Sequence, residues 1–386
     1  MSPLNPVQVS DLLQAAPAGS VVYLIGAGGC GMSGLGHLLL DLGHTLAGSD
    51  LTLNEEIAQL RSRGATVHIG HAAEQLRAAH PVLAVYSSAI RANNPELLAA
   101  GELKIPIVRR ATLLAALLQR QRGICVAGMH GKTTTSALLS FALKQLPGQT
   151  SYAIGAFVPQ LERHARFTPD SPLFANESGA DNGAPVGRLT PSLTPGGGAE
   201  GARPVRSSLG EGGRAGEGEV PFFIVEADES DGSLREFQPE HAIVLNVDAE
   251  HLDYYANLDA VCREFQSFAG RTRGLLIFCA DDSRLADLFA KRSGAISYGF
   301  NPLASYRVGP KAEAESDPTR PATPATCFDI WHNGERLGEF TTLLLGEKNM
   351  SNCAAAIWAL AACTWPHACT TACRAWLRTR SRLSRC

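Results

Sequence analysis

The sequence predicts an α/β protein built from two doubly wound units in succession, and three observations carry that expectation. An apolar run, Val21–Ile25, leads into Gly26-Ala27-Gly28-Gly29-Cys30-Gly31 and then a helical stretch. A second apolar strand leads into VAGMHGKTTT at 126–135, again followed by a helix. Beyond each turn, short apolar strands alternate with helical segments, the pattern of a parallel sheet with ligands at the carboxyl ends of its strands.

In the first unit the helix is expected over 32–42 and a second strand over Thr45–Asp50, giving a βαβ unit. The glycines fit the Rossmann-like G-x-G-x-x-G pattern, in which the bare backbone approaches a diphosphate, and Asp50 stands about where a ribose-binding acid would. Further along, the spacing predicts a helix over 55–63, strands over Thr66–Ile69 and 82–86, then Ser87-Ser88, a helix over 95–100 and a strand over 105–108.

The second unit starts at Gly123. Its glycine turn departs from the standard phosphate-loop spacing, because Val126 stands where a glycine five residues before Gly131 is the rule. What remains is the tighter Gly128-Met129-His130-Gly131-Lys132-Thr133-Thr134. A helix begun there, expected over 136–144, directs unpaired N–H groups at phosphates, while Lys132 reaches the β/γ-phosphates and the Thr133 hydroxyl holds Mg²⁺. These residues read as a nucleotide triphosphate site.

The next strands are expected over 222–225, 242–246 and 275–279. The first runs into Glu226-Ala227-Asp228-Glu229-Ser230-Asp231, and Glu226, nearest the strand, is the favoured ligand for a hard cation such as Mg²⁺. The second runs into Val247-Asp248-Ala249-Glu250-His251, which puts His251 past a strand end facing the same turn. Residues 175–219, dense in Gly, Pro, Ser and charge, read as a disordered surface insertion dispensable for folding. A polar stretch over 309–326 precedes a hairpin over 327–341 that turns at His332-Asn333-Gly334, and a helix is expected over 354–362.

At 386 residues with 45% apolar composition the chain has the material for two or three domains with real cores. The net charge of −3, with Lys and Arg scattered, gives no electrostatic reason to expect nucleic acid. No signal-peptide pattern and no long apolar run are present, so a cytoplasmic location away from the membrane is expected. Cys30, Cys125, Cys262, Cys279, Cys327 and Cys353 lie singly, without metal-ligand spacing; Cys363, Cys369, Cys373 and Cys386 crowd the last segment.

Taken together, GAGGCGMSGLG with GSD at 48–50, YSSAI at 86–90 with the following NNP, RRA at 109–111, MHGKTTT, EADESDGS, NVDAEHLDYY and GEKNMSN at 346–352 resemble the Mur ligase family over residues 20 to 362. The resemblance implies a UDP-sugar domain over 1–121 and an ATP-binding central domain over 122–362. It implies UDP-sugar contacts from Gly26, Gly28, Gly29, Gly31, Asp50, Ser87 and Ser88, and reassigns the first glycine turn from a nicotinamide cofactor to a UDP-sugar diphosphate. It further implies ATP-driven joining of L-alanine to the lactyl carboxylate of UDP-N-acetylmuramate through an acyl phosphate. Lys132, Glu226 and His251 would be catalytic, Thr133, Glu226 and His251 would hold metal, and Asn349 and Asn352 would contact adenine. Lys348 stands where the family usually has His. Two other readings stay open: a ligase that adds a tripeptide to the same sugar nucleotide, and a binding-only form that ligates nothing. The family's third domain, with its Asp-Tyr-x-His-His-Pro segment, is not found, and 363–386 reads as out-of-frame translation with accidental cysteines.

Overall fold

A computed structural model describes residues 4–145, 150–169, 220–230, 232–250, 254–310 and 326–364. The expected insertion at 175–219, His251, most of the stretch 309–326 and the tail from 365 onward lie outside the described residues.

The chain begins with α1 (Pro6–Ala15), where the Asn5 side chain caps the Gln8 N–H and Gln8 bonds back to the Asn5 N–H. There follow β1 (Val21–Ile25), α2 (Cys30–Asp41), β2 (Thr45–Asp50), α3 (Glu55–Ser62), β3 (Thr66–Ile69), α4 (Ala73–Ala79), β4 (Leu83–Tyr86), α5 (Pro95–Glu102), β5 (Ile107–Arg109) and α6 (Arg110–Leu118). The five strands form one wholly parallel sheet in the order β3-β2-β1-β4-β5. That order makes β1 central, and the chain reverses direction across the sheet between β1 and β4. Ligand crevices form at such a switch point.

The second sheet starts at β6 (Arg122–Ala127), followed by α7 (Lys132–Lys144), β7 (Thr150–Ala153), β8 (Ala165–Arg166), β9 (Phe222–Glu226), β10 (His241–Val244), α8 (Leu258–Arg271), β11 (Leu276–Cys279), α9 (Ser283–Phe289), β12 (Ala295–Gly299), β13 (Tyr306–Pro310), β14 (Thr326–His332), β15 (Glu335–Thr342) and α10 (Glu347–Thr364). Its order is β15-β14-β13-β12-β11-β10-β6-β9-β7-β8. The run from β13 to β7 is parallel, and antiparallel pairs close both edges. The strand β6, whose Ile124–Ala127 segment is fully buried, lies between β10 and β9. The turn leaving β6 therefore faces the turns leaving both neighbours.

Two helices differ from expectation for physical reasons. Gly131 adopts φ +88°, a conformation that costs a side-chain-bearing residue strain, so α7 starts at Lys132 and not at 136. Helix α10 starts seven residues earlier than the apolar run at 354, because its first turns are polar and masked the period. Helices α1, α4, α6, α8 and α9 were not anticipated; of these α8 is capped by Asn257 and buries Val261, Phe265 and Phe268 along one face. The hairpin is confirmed as β14 and β15 around Asn333-Gly334.

Arg122 at the start of β6 grips Glu240, just before β10, with Nε–O distances of 3.1 and 3.2 Å and an Nη2–Oε1 distance of 2.8 Å. Those bonds hold the Glu240 carboxyl below its ordinary value of 4.5, against the opposing effect of burial. A carboxylate whose folded value is depressed stabilises the fold above its unfolded value, and that contribution disappears as pH falls through the folded one. Glu240→Gln is therefore expected to lower stability at neutral pH by about 1 kcal/mol, the pair being partly exposed. The difference from wild type should vanish at pH values below Glu240's folded pKa, as read by urea unfolding across the carboxylate range.

Candidate functional site

The phosphate loop is held by backbone geometry and by one side chain that the sequence did not single out. Gly128 has φ +135°, and a Cβ there would stand 3.0 Å from the Asn246 nitrogen, so only glycine lets the loop pass the end of β10. Asn246 then clamps the loop from both sides: its Oδ1 accepts from the His130 N–H at 2.8 Å and its Nδ2 donates to the His130 carbonyl at 2.8 Å. The His130 ring lies 2.9 Å from a Glu250 carboxylate oxygen. The segment leading to His251 thus returns to the loop; His251 itself lies outside the described residues.

Lys132 opens α7 and folds back over the loop. Its ammonium donates to the Gly128 carbonyl at 2.6 Å and to both oxygens of Glu229 at 2.7 and 3.0 Å. Glu229 is only 1% exposed, and burial raises its pKa against the pull of Lys132. The Tyr255 hydroxyl donates to the Glu229 carbonyl at 2.7 Å and fixes that turn. Thr133 points instead at Glu226, its hydroxyl donating to Oε2 at 3.2 Å, while Oε1 accepts from the Gly155 N–H at 2.9 Å. Lys132, Thr133 and Glu226 are thus gathered at one place, and Thr134 follows in the first turn of α7. Burial pushes the Glu226 carboxyl up. A partly buried carboxylate beside a hydroxyl is a hard-oxygen donor pair of the kind Mg²⁺ selects.

In the N-terminal sheet, the glycine turn hangs on the carboxyl end of β2. The Gly26 and Ala27 N–H groups both donate to the Ser49 carbonyl at 2.9 Å, and the Gly28 N–H donates to Asp50 Oδ2 at 2.8 Å. Asn54, which caps α3, also donates to the Gly28 carbonyl at 2.8 Å. Asp50 therefore braces the turn, and Asn54 is a second brace that sequence reading missed. Gly29 caps α2, with Gly31 in its first turn. Ser87 follows β4 and its N–H reaches the Ile25 carbonyl at 3.3 Å; Ser88 beside it is exposed.

Arg110 links the two halves. Its Nη2 lies 3.1 Å from Asp228 Oδ2 in the acidic turn, and its Nη1 lies 2.7 Å from where a Cβ of Gly31 would be. Asp228 is held below its ordinary value: burial works upward, and bonds from Ser230 together with the charges of Arg110 and Lys132 prevail. The N-terminal glycine turn and the acidic turn after β9 are thereby neighbours across one guanidinium.

On the other side of the phosphate loop lies a cleft of about 940 Å³ lined by His130, Asn246, Phe300, Lys348 and Asn352 among others. Asn352 is buried, and its Oδ1 lies 2.7 Å from a Cβ position on Gly131, so it touches the loop directly. Asn349 is not part of that lining; its amide donates to the Leu345 carbonyl at 2.8 Å, just before α10. The cleft is of nucleotide size.

This geometry has counterparts among known proteins. Residues 21–122 match the model of the Mur ligase family, catalytic domain, and residues 213–360 that of the Mur ligase middle domain. The chain is 33% identical over 339 residues to UDP-N-acetylmuramate–L-alanine ligase of Syntrophotalea carbinolica, covering 87% of this chain and 61% of that protein. It is 38% identical over 291 residues to the ligase of the same name from Streptomyces coelicolor, covering 74% of this chain and 52% of that protein. The chain thus spans between half and two thirds of the length of these relatives. Among solved structures, UDP-N-acetylmuramate:L-alanyl-gamma-D-glutamyl-meso-diaminopimelate ligase from Neisseria meningitides is similar with a TM-score of 0.69 at 22% identity, covering 89% of this chain and 94% of that one. UDP-N-acetylmuramate-alanine ligase from Thermotoga maritima is similar with a TM-score of 0.65 at 22% identity, covering 91% and 67%. These two likenesses bear on the fold, and the sequence matches on both halves carry the relationship: the chain belongs to the Mur ligase family.

Proposed function

We propose that the chain belongs to an ATP-dependent ligase that joins L-alanine to the lactyl carboxylate of UDP-N-acetylmuramate. The observation that carries this reading is the convergence of Lys132, Thr133 and Glu226 beside an N-terminal glycine turn joined to them through Arg110 and Asp228. In this reading residues 1–121 hold the UDP-sugar and residues 122–362 hold ATP, with the adenine end in the cleft beside Asn352. No helix among the described residues is long and apolar enough to cross a membrane.

The lactyl carboxylate oxygen attacks the γ-phosphorus and the bond to ADP breaks, giving an acyl phosphate. The amine of L-alanine then attacks the acyl carbon, phosphate leaves, and the nitrogen loses a proton. Phosphoryl transfer of this kind is driven by positioning and by neutralising charge. Lys132 supplies the mobile charge: its ammonium leaves the Glu229 carboxylate for the β/γ-phosphates. Thr133 and Glu226, with the expected His251, would hold Mg²⁺, which supplies charge neutralisation to the phosphates when bound. The N–H groups at the start of α7 cradle the same phosphates. Arg110 lies where an anionic diphosphate or carboxylate would pass from one half to the other.

The test is trapping. With UDP-N-acetylmuramate, ATP, Mg²⁺ and hydroxylamine, the hydroxamate of the lactyl carboxylate should form along with ADP. UDP-N-acetylglucosamine, which lacks that carboxylate, should yield neither. ADP release that is indifferent to the lactyl group would overturn the reading.

A further inference from the structure

A cluster of soft and borderline donors that the proposed function does not use lies beside the N-terminal glycine turn. Cys30 opens α2, Glu56 lies in the first turn of α3, and His164 immediately precedes β8 in the central sheet. The thiol, one carboxylate oxygen and one imidazole nitrogen all lie within 4.8 Å of one another. We propose that Cys30, Glu56 and His164 form a binding site for a thiophilic divalent cation of the zinc class, cross-linking the N-terminal and central sheets.

The donor set decides the class. A thiolate, an imidazole and a carboxylate suit Zn²⁺ and leave a fourth position for water, whereas Mg²⁺ takes oxygen donors. Metal–ligand bonds of about 2.0–2.3 Å in a tetrahedral site put donor atoms about 3.3–3.8 Å apart, so closure needs a side-chain contraction of at most about 1.5 Å. The imidazole is already set for it. His164 is 1% exposed, its backbone is fixed by the Ile154 N–H donating to its carbonyl at 2.8 Å, and the edge of its ring packs against His37 at 5.4 Å. Its Nδ1 has no hydrogen-bond partner among the described residues, so its polar contacts run through Nε2, 3.6 Å from Glu56 Oε2 and 3.2 Å from the Ser33 hydroxyl. That hydroxyl donates to Glu56 Oε2 at 2.6 Å and orients the carboxylate, a supporting contact of the kind metal ligands commonly have. Burial holds the imidazole below its ordinary range, which keeps it neutral and able to donate a lone pair. The Cys30 thiol is pushed up to about 11 by burial and by Glu56 and Glu226, so a metal binding at neutral pH must displace its proton.

The site does not depend on the ligase reading. The metal-free full chain is titrated with Zn²⁺ by calorimetry in two buffers of different ionisation enthalpy, and with Co²⁺ by visible absorption. One saturable equivalent with proton release and a thiolate-to-cobalt charge-transfer band is expected. Cys30→Ser should remove that equivalent and its band, and Glu56→Gln should weaken it at least tenfold; Cys262→Ser, at a distant thiol, should leave it intact. Melting of Cys30→Ser in chelator at the wild-type temperature verifies that the variant folds. An equivalent and band that persist in Cys30→Ser, or no saturable binding to the wild type, would overturn the site and leave the cluster a hydrogen-bonded seam.

Discussion

Lys132→Ala is expected to abolish hydroxamate formation, lowering the rate by on the order of 10²–10³ or more, as loss of one pre-placed charge at a transferring phosphoryl group does. The reason lies in the loop. Lys132 is bonded within the phosphate loop, its Nζ already 2.6 Å from the Gly128 carbonyl. Its present partner, Glu229, is buried and would lose its counter-ion in the variant. A carboxyl in that position takes up a proton and stays neutral, because a lone buried charge costs more than protonation. The variant should therefore fold, and UDP-N-acetylmuramate affinity should remain within about twofold of wild type, since a residue on α7 has no part in the turn after β1. Calorimetry and the trapping assay, run on one preparation, read both quantities.

Glu226→Gln is expected to raise the Mg²⁺ concentration needed for half-maximal hydroxamate formation by roughly tenfold or more, losses of 10–100-fold being usual even for groups one shell further out. The isosteric amide can still accept from the Gly155 N–H, so the fold around β9 should survive. What it loses is negative charge beside Thr133. Glu229→Gln is the matched control, because that carboxylate bonds Lys132 and not Thr133. It should shift Mg²⁺ dependence less than Glu226→Gln. A larger shift from the Glu229 substitution would move the ligand from the strand end to the turn.

The first sheet and the centre of the second were legible because their strands are short apolar runs punctuated by glycine, and because each glycine turn directly follows a buried strand; β7, β8, β12 and β13 were not anticipated. The clustering of Lys132, Thr133 and Glu226 followed from topology: the end of β9 and the turn leaving β6 must be neighbours when those strands pair in parallel. What escaped was the wiring. Asn246 holds both sides of His130, Asn54 shares the bracing of Gly28 with Asp50, and Glu229, not Glu226, engages Lys132. Each of these choices depends on side-chain direction across sequence separations of tens of residues, and no local period records it. Arg110 stood within a family motif, but its bond to Asp228 spans 118 residues and both sheets. Asn349 and Asn352 both lie in α10, but of the two Asn352 lines the cleft while the Asn349 amide donates to the Leu345 carbonyl.

In the proposed function two ligands are held by two separate glycine turns. The most direct measurement is a crossed titration of UDP-N-acetylmuramate and of Mg²⁺ with ATP into Gly28→Val and Lys132→Ala. A Cβ on Gly28 would lie 2.9 Å from Asn54 Nδ2 and 3.0 Å from Asp50 Oδ2, so valine there displaces the braces of the first turn and leaves the second untouched. Gly28→Val should lose UDP-sugar affinity by at least tenfold and keep ATP affinity, while Lys132→Ala should do the reverse. Loss of both ligands in either folded variant, or unchanged UDP-sugar binding by Gly28→Val, would contradict the account.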